Sequence, residues 1–128
     1  RMKYFTRKMV APKDLNSNRT LFGGRVLDWI DEEAYIFCSC QLDNDRVVTR
    51  SMGEIDFVSS AIRGDIIEIG METISIGVTS ITIRCDVRNK RTQEKLTSVN
   101  KIVFVNLGPD GKPAPHGKIF DGGTVTSG

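Results

Sequence analysis

The chain has 128 residues, 39% hydrophobic and 27% charged, with a formal net charge of +2. Those totals fit one ordinary domain over residues 1–128, able to bury a core, and exclude a disordered chain. A charge so close to zero gives no footing for nucleic acid or for an anionic membrane surface.

Taken in chain order, residues 2–10 alternate loosely around Tyr4, Phe5, Met9 and Val10 and predict a first strand. Residues 11–20, APKDLNSNRT, have loop composition. A helix is predicted from about Gly24 to Gln41. Val26, Ile30, Ala34, Phe37 and Cys38 recur at helical spacing, and Leu27, Trp29 and Tyr35 widen the stripe. So broad an apolar surface predicts burial over much of the helix. The period then changes. Residues 46–58 read as a strand with Gly53 as a possible bulge, 59–65 as a connection, and 66–76 as an alternating strand. Gly77 opens a tight turn into the strand 78–88, the polar hairpin loop 89–95 follows, and 96–107 is the last long strand. GPDGKPAP at 108–115 stops it, and the Gly- and Ser/Thr-rich stretch of about 116–128 is expected to be a flexible tail.

The order is one strand, one long helix, then strands joined by hairpins. It predicts an α+β fold: a long central helix wrapped by an antiparallel sheet of about five strands. The sheet's convex face and edges are expected to favour pairing with another copy. No apolar run is long enough to span a bilayer, and the opening residues lack the apolar core of a signal peptide, so no membrane insertion is expected.

Chemistry concentrates in RTLFGGRVLDWIDEEAY, residues 19–35. A helix amino end presents unpaired N–H groups and partial positive charge, and glycine lets a carbonyl approach its backbone. Gly23 and Gly24 are therefore either a plain loop-to-helix turn or part of an oxyanion site. Asp31 follows Gly24 by about two turns, on the same face, and lies one residue from Ile30. A carboxylate partly desolvated beside an apolar stripe suits proton abstraction from water. Asp28 and Glu32, four apart, can share one face with each other, and Glu33, on a different arc, is expected to face solvent or a partner subunit. Cys38, Cys40 and Cys85 are an odd set, expected as reduced thiols packed in a cytoplasmic protein. With His116 as the single histidine, expected in the tail, neither a zinc site nor a nucleophile triad is supplied, and no metal is expected.

Three motifs in order, N-x-N-R-T-L-F-G-G-R-V-L-D-W-I-D-E-E-A, V-V-T…I-D-F-V…I-R-G-D-I-I and G-V-T-S-I-T-I, resemble the hot-dog acyl-CoA thioesterases, and within them the YciA-type and brain-type acyl-CoA hydrolases. The resemblance covers about residues 5 to 115. It implies the hot-dog fold, and hydrolysis of acyl-CoA to free acid and coenzyme A, with coenzyme A as part of the substrate and no other cofactor. It implies Asp31 as general base or nucleophile, supplied across a dimer interface, Gly24 as the group polarising the thioester carbonyl, and Thr49 near the attacking water. Implied substrate contacts are Thr20, Gly23, Asp56, Phe57, Val58, Thr79 and Ser80. Separately, the basic residues around the 89–95 hairpin offer Arg88 and Lys90 to the phosphates, against the plainer reading of a solvated hairpin. Val78 stands where the family usually has a basic residue, which weakens the phosphate assignment at that turn. The implied assembly is a homodimer at least, and a hexamer as a trimer of dimers. A non-catalytic acyl-CoA-binding protein is the alternative, and a hot-dog dehydratase ranks last for want of a histidine at the site.

Overall fold

The computed structural model describes residues 1–128. The main elements are β1 (Lys3–Met9), α1 (Gly23–Leu42), β2 (Val47–Phe57), β3 (Ile66–Ile76), β4 (Ser80–Asn89) and β5 (Lys95–Asn106). A short 3-10 turn, Pro12–Asp14, precedes the helix. The five strands form one antiparallel sheet in the order β1-β3-β4-β5-β2, leaving β1 and β2 at its edges.

The helix buries one row completely against this sheet, and Leu27, Trp29 and Phe37 beside it are partly buried. Val26, Ile30, Ala34, Cys38 and Leu42 recur every four residues and are all buried, which sets them on a single ridge of the helix. They meet the inward side chains of β3 (Ile67, Ile69, Met71), β4 (Ile81, Ile83, Cys85, Val87) and β5 (Val99, Ile102, Phe104) in one core cluster. Alternation along β4 supplies its four core residues at period two. The helix ends where Asp43 adopts the left-handed conformation, φ 52°, and its N–H reaches Ser39 O.

The helix is not enclosed, contrary to the expectation from its broad stripe. Phe22, Tyr35 and Ile36 are exposed, because a five-stranded sheet covers only one side of a helix. Leu27, Trp29 and Phe37, beside the central row, are partly buried against the core, and only the exposed apolar side chains are left for another surface.

Gly53 is not the bulge in β2. The register against β5 slips between Thr49 and Ser51, so Arg50 is the extra residue, and Glu54 carries a positive φ of 55°. Met52 and Ile55, three apart on either side of Gly53 and Glu54, both pack against the core.

Residues 116–128 also depart from expectation. They form a hairpin, β6 (Ile119–Asp121) with β7 (Thr124–Thr126), instead of a free tail. His116 anchors it: its Nδ1 accepts the Lys118 N–H at 3.0 Å, which leaves Nε2 to donate to Ser80 O at 3.0 Å. Lys118 Nζ also pairs with Asp43 at 2.8 Å.

All three cysteines are free thiols. Burial pushes the Cys38 and Cys85 thiols far above their ordinary range. No helix is long and apolar enough to cross a membrane. Because Ile30 is wholly buried at the centre of the ridge, Ile30→Ala is expected to cost about 2–5 kcal/mol. Urea unfolding followed by circular dichroism measures this.

Candidate active site

Residues 11–22 are held by their own polar groups. Asn16 Oδ1 accepts the N–H groups of Asn18 (2.9 Å) and Thr20 (3.1 Å), and Asn16 Nδ2 donates to Thr20 Oγ1 at 3.0 Å. This Asx turn carries Arg19 in the left-handed region at φ 62°. The chain is then tied to its neighbours, Leu21 N–H to Ala61 O at 2.9 Å and Phe22 N–H to Asp14 O at 3.0 Å. The helix begins at the next residue. Phe22 occupies the cap position and offers no side-chain acceptor, and the N–H groups of Gly23, Gly24 and Arg25 have no hydrogen-bond partner. Three free amides and the positive end of the helix dipole thus meet at one point.

A cleft of about 200 Å³ opens there, lined by Asn16, Thr20, Gly23, Phe57, Ser59, Thr97 and their neighbours. The two glycines differ. A Cβ on Gly23 would lie 3.1 Å from the Phe57 ring, whereas nothing stands within 4 Å of one on Gly24. Gly23 therefore sits close under the exposed Phe57 ring, which an added methyl would displace by a few tenths of an ångström, and Gly24 leaves the helix end open to an incoming group.

Asp31 is exposed, which corrects the expectation of a partly buried carboxylate. The buried ridge passes through Ile30 and Ala34 and leaves the adjacent position outside. It has one specific partner: Thr49 Oγ1 donates to Asp31 Oδ1 at 2.7 Å. The Arg50 bulge directly follows Thr49, and such bulges re-aim neighbouring side chains. This hydrogen bond orients the carboxylate and leaves its second oxygen free to take a proton from water or to attack an electrophilic carbon. Along the axis, the seven residues from Gly24 to Asp31 span roughly 10 Å. One carbonyl cannot touch the helix end and Asp31 of the same chain.

The other expected contacts divide between the two ends of the sheet. Thr20, Gly23 and Phe57 share the cleft. Asp56 and Val58 flank Phe57 but are exposed and do not line it. Lys90 lies in the 89–95 hairpin, where its N–H binds Ile66 O at 2.8 Å, at the same end of the sheet as the cleft. Thr79 and Ser80 are at the opposite end, with the carboxyl end of the helix. Thr79 lines a separate cavity with Val48 and Arg50, and Ser80 O is taken by His116.

Arg88 is not free for a phosphate. Its Nε donates to buried Glu68 at 2.8 Å, and its guanidinium lies 3.6 Å from the centre of the Tyr4 ring. Burial acts to raise the Glu68 carboxyl, but Arg88 and then Arg7 outweigh it and hold the group below its ordinary value. Glu68 therefore stabilises the fold above its unfolded ionisation range and loses this contribution as pH falls.

Asn16 was not among the residues singled out from the sequence, although it both shapes and lines the cleft; the signal was the N-x-N-x-T spacing of an Asx turn. Glu33, expected towards solvent or a partner, instead accepts a hydrogen bond from Thr6. Both line the largest cavity, about 490 Å³ and mostly apolar, between β1, β3 and the far half of the helix. Glu33 is two residues, about 200°, around the helix from Asp31, and this cavity has neither the free amides nor the Thr49–Asp31 pair. The smaller cleft is the one that lies against the free amides, although Asp31 and Thr49 do not line it either.

Free amides beside a cleft and an oriented carboxylate on the same helix face are tools for attack on an activated carbonyl. The pattern of the thioesterase superfamily matches residues 18–95, and the chain belongs to that family, with the hot-dog fold. An uncharacterized acyl-CoA thioester hydrolase of Buchnera aphidicola is 30% identical over 112 residues, 84% of this chain and 82% of its own. Another from Bacillus subtilis is 28% identical over 86% of this chain, and the match spans 65% of that longer relative. Among solved structures, the hexameric thioesterase y2039 from Yersinia pestis superposes with a TM-score of 0.81 at 25% identity, over 88% of this chain and 93% of that one. The acyl-CoA hydrolase from Staphylococcus aureus, solved with butyryl coenzyme A, coenzyme A and coenzyme A disulfide, gives 0.80 at 28% identity, over 89% and 68%.

The contrast between the glycines is directly measurable. Gly23→Ala, which must displace the exposed Phe57 ring, is expected to be less stable than Gly24→Ala. Gly24→Ala is expected to be neutral or to stabilise by up to about 1 kcal/mol. Denaturant midpoints of the two variants give the comparison.

Proposed function

We propose that the protein hydrolyses acyl-CoA thioesters to a free acid and coenzyme A. The Thr49–Asp31 contact, 2.7 Å long and on the same helix face as the open amino end, is the observation that carries this reading. The names of the relatives, acyl-CoA thioester hydrolases, and the coenzyme A complex of the Staphylococcus aureus neighbour support the substrate class.

The site is shared between two copies. In each, the helix amino end and Asp31 are too far apart to act on one carbonyl, whereas an antiparallel pair of helices sets each amino end against the other's Asp31. The β2 edge offers the means. It is unpaired on its outer side and carries exposed Val48 and Phe57. Antiparallel pairing of two β2 edges also exchanges the ends of the sheets. It brings one copy's Thr79 end towards the other's cleft, which reconciles Thr79 and Ser80 with a substrate-binding role. The hexameric assembly of the Yersinia pestis thioesterase supports an oligomer built from such dimers, a trimer of dimers.

In this reaction the thioester carbonyl accepts hydrogen bonds from the free amides around Gly24. Negative charge grows on that oxygen as the carbon becomes tetrahedral, and the helix end stabilises it. Asp31 of the other copy takes a proton from water as the water oxygen bonds to the carbon, or attacks the carbon itself to form an anhydride that water then opens. Either way the carbon–sulfur bond breaks, the thiolate of coenzyme A leaves and takes up a proton, and one water is consumed. Thr49 holds Asp31 for the step, and Thr20, Gly23 and Phe57 bound the bound thioester. The compartment this reading implies is the reducing cytoplasm, where three free thiols persist.

Asp31→Asn is expected to lower kcat for thiol release from an acyl-CoA panel by about a hundredfold or more. Thr49→Val, losing one hydrogen bond to a charged group, is expected to lower it about tenfold. Full hydrolysis by Asp31→Asn overturns the site, and binding without turnover by the wild type points to a non-catalytic acyl-CoA binder.

A further inference from the structure

The loop in front of the helix hides a charge that the reaction does not use. Asp14, the last residue of the 3-10 turn, is only 2% exposed. Its Oδ2 accepts the Ala11 N–H at 2.9 Å, and its carbonyl accepts the N–H of the cap residue Phe22 at 3.0 Å. A full negative charge is therefore built against the amino end of α1. Left alone it opposes the positive potential on which the free amides depend, because a developing oxyanion nearby meets a like charge.

Arg25 faces this carboxylate. It is the third residue of the helix, and helical side chains lean back towards the amino end. Its Nη2 donates to Lys13 O at 3.2 Å, and its Nε lies 3.3 Å from Asp14 Oδ1. Neither Nε nor Oδ1 has a hydrogen-bond partner, so the geometry makes this an ion pair and not a directed bond. A cation in the first turn is unfavourable for the helix itself, and no acid stands in that turn to balance it. Lys13 is also near, 3.8 Å from Oδ1, but its side chain is 82% exposed against 39% for Arg25. Solvent screens it, and Arg25 is the effective counter-charge.

We infer that Arg25 is a positioning residue: it neutralises buried Asp14 and so preserves the polarising power of the helix amino end. The inference rests on the thioesterase reading above. It concerns the sign of the charge beside the amides and not the mere attachment of the loop.

Four variants separate these roles, with kcat and KM measured apart on one acyl-CoA and thermal melting measured alongside. Arg25→Met is expected to lower kcat about tenfold with KM within about twofold, because only the transition state carries the oxyanion. Arg25→Lys, which keeps the charge but not the fork, is expected to retain kcat within about threefold. Asp14→Asn keeps the acceptor for Ala11 and removes the negative charge, so kcat is expected to hold. Asp14→Asn/Arg25→Met, with both charges gone, is expected to recover kcat to within about threefold of the wild type, a non-additive result for a coupled pair. The inference is overturned if Arg25→Met keeps the wild-type kcat, if Arg25→Lys falls as far as Arg25→Met, or if the double variant stays as slow as Arg25→Met. A wild type that releases no thiol from any acyl-CoA overturns the thioesterase reading and this inference with it.

Discussion

An α-helix rises about 1.5 Å per residue, and the placement of this protein's chemistry follows from that fixed length. Seven residues separate Gly24 from Asp31, enough to return to the same face and far too many for both to touch one carbonyl. Within one chain the open amino end is therefore out of reach of Asp31, the carboxylate that Thr49 orients. The rest of the molecule is consistent with this division. One ridge of the helix is spent on the core, while Phe22, Tyr35 and Ile36 stay exposed. The edge strand β2 carries the hydroxyl that orients Asp31 and presents an unpaired backbone on its outer side.

Charge on the two sides of the sheet does different work. On its outer face Glu68, Glu72, Asp86, Arg84 and Arg88 neutralise one another across β3 and β4, with Arg7, Lys95 and the chain's first amino group joining at the margins. These groups satisfy one another, so they are poorly placed to grip a ligand. At the helix amino end the balance is kept by one buried acid and one arginine in the first turn, and the amides beside them stay unpaired.

Most of the fold was legible in the residues. The positions Val26, Ile30, Ala34 and Cys38 stood out as helical spacing, and Gly77 marked the turn into the strand 78–88. β3 begins and ends at the expected residues, 66–76. Less legible were features set by partners distant in sequence. The hairpin at 119–126 depends on His116 meeting Ser80 and Lys118 meeting Asp43, which no local pattern reveals. The irregularities of β2 fall on Arg50 and Glu54, beside the glycine that composition favours, because register is decided against β5. Arg88 looked available in a polar hairpin, but its cross-strand neighbour Glu68 claims it. The exposure of Asp31 was hidden for another reason: a position one residue from a buried ridge lies 100° away from it.

Subunit complementation tests the shared site most directly. One inactive parent carries Asp31→Asn and the other carries Gly24→Pro, which obstructs the helix opening and removes its amide. The two are unfolded together, refolded as a mixture and assayed for thiol release from an acyl-CoA. A site built from two copies predicts that mixed dimers regain one intact site each, so roughly a quarter of wild-type activity returns. Mixed oligomers no more active than either parent, with exchange verified by mass, would contradict it.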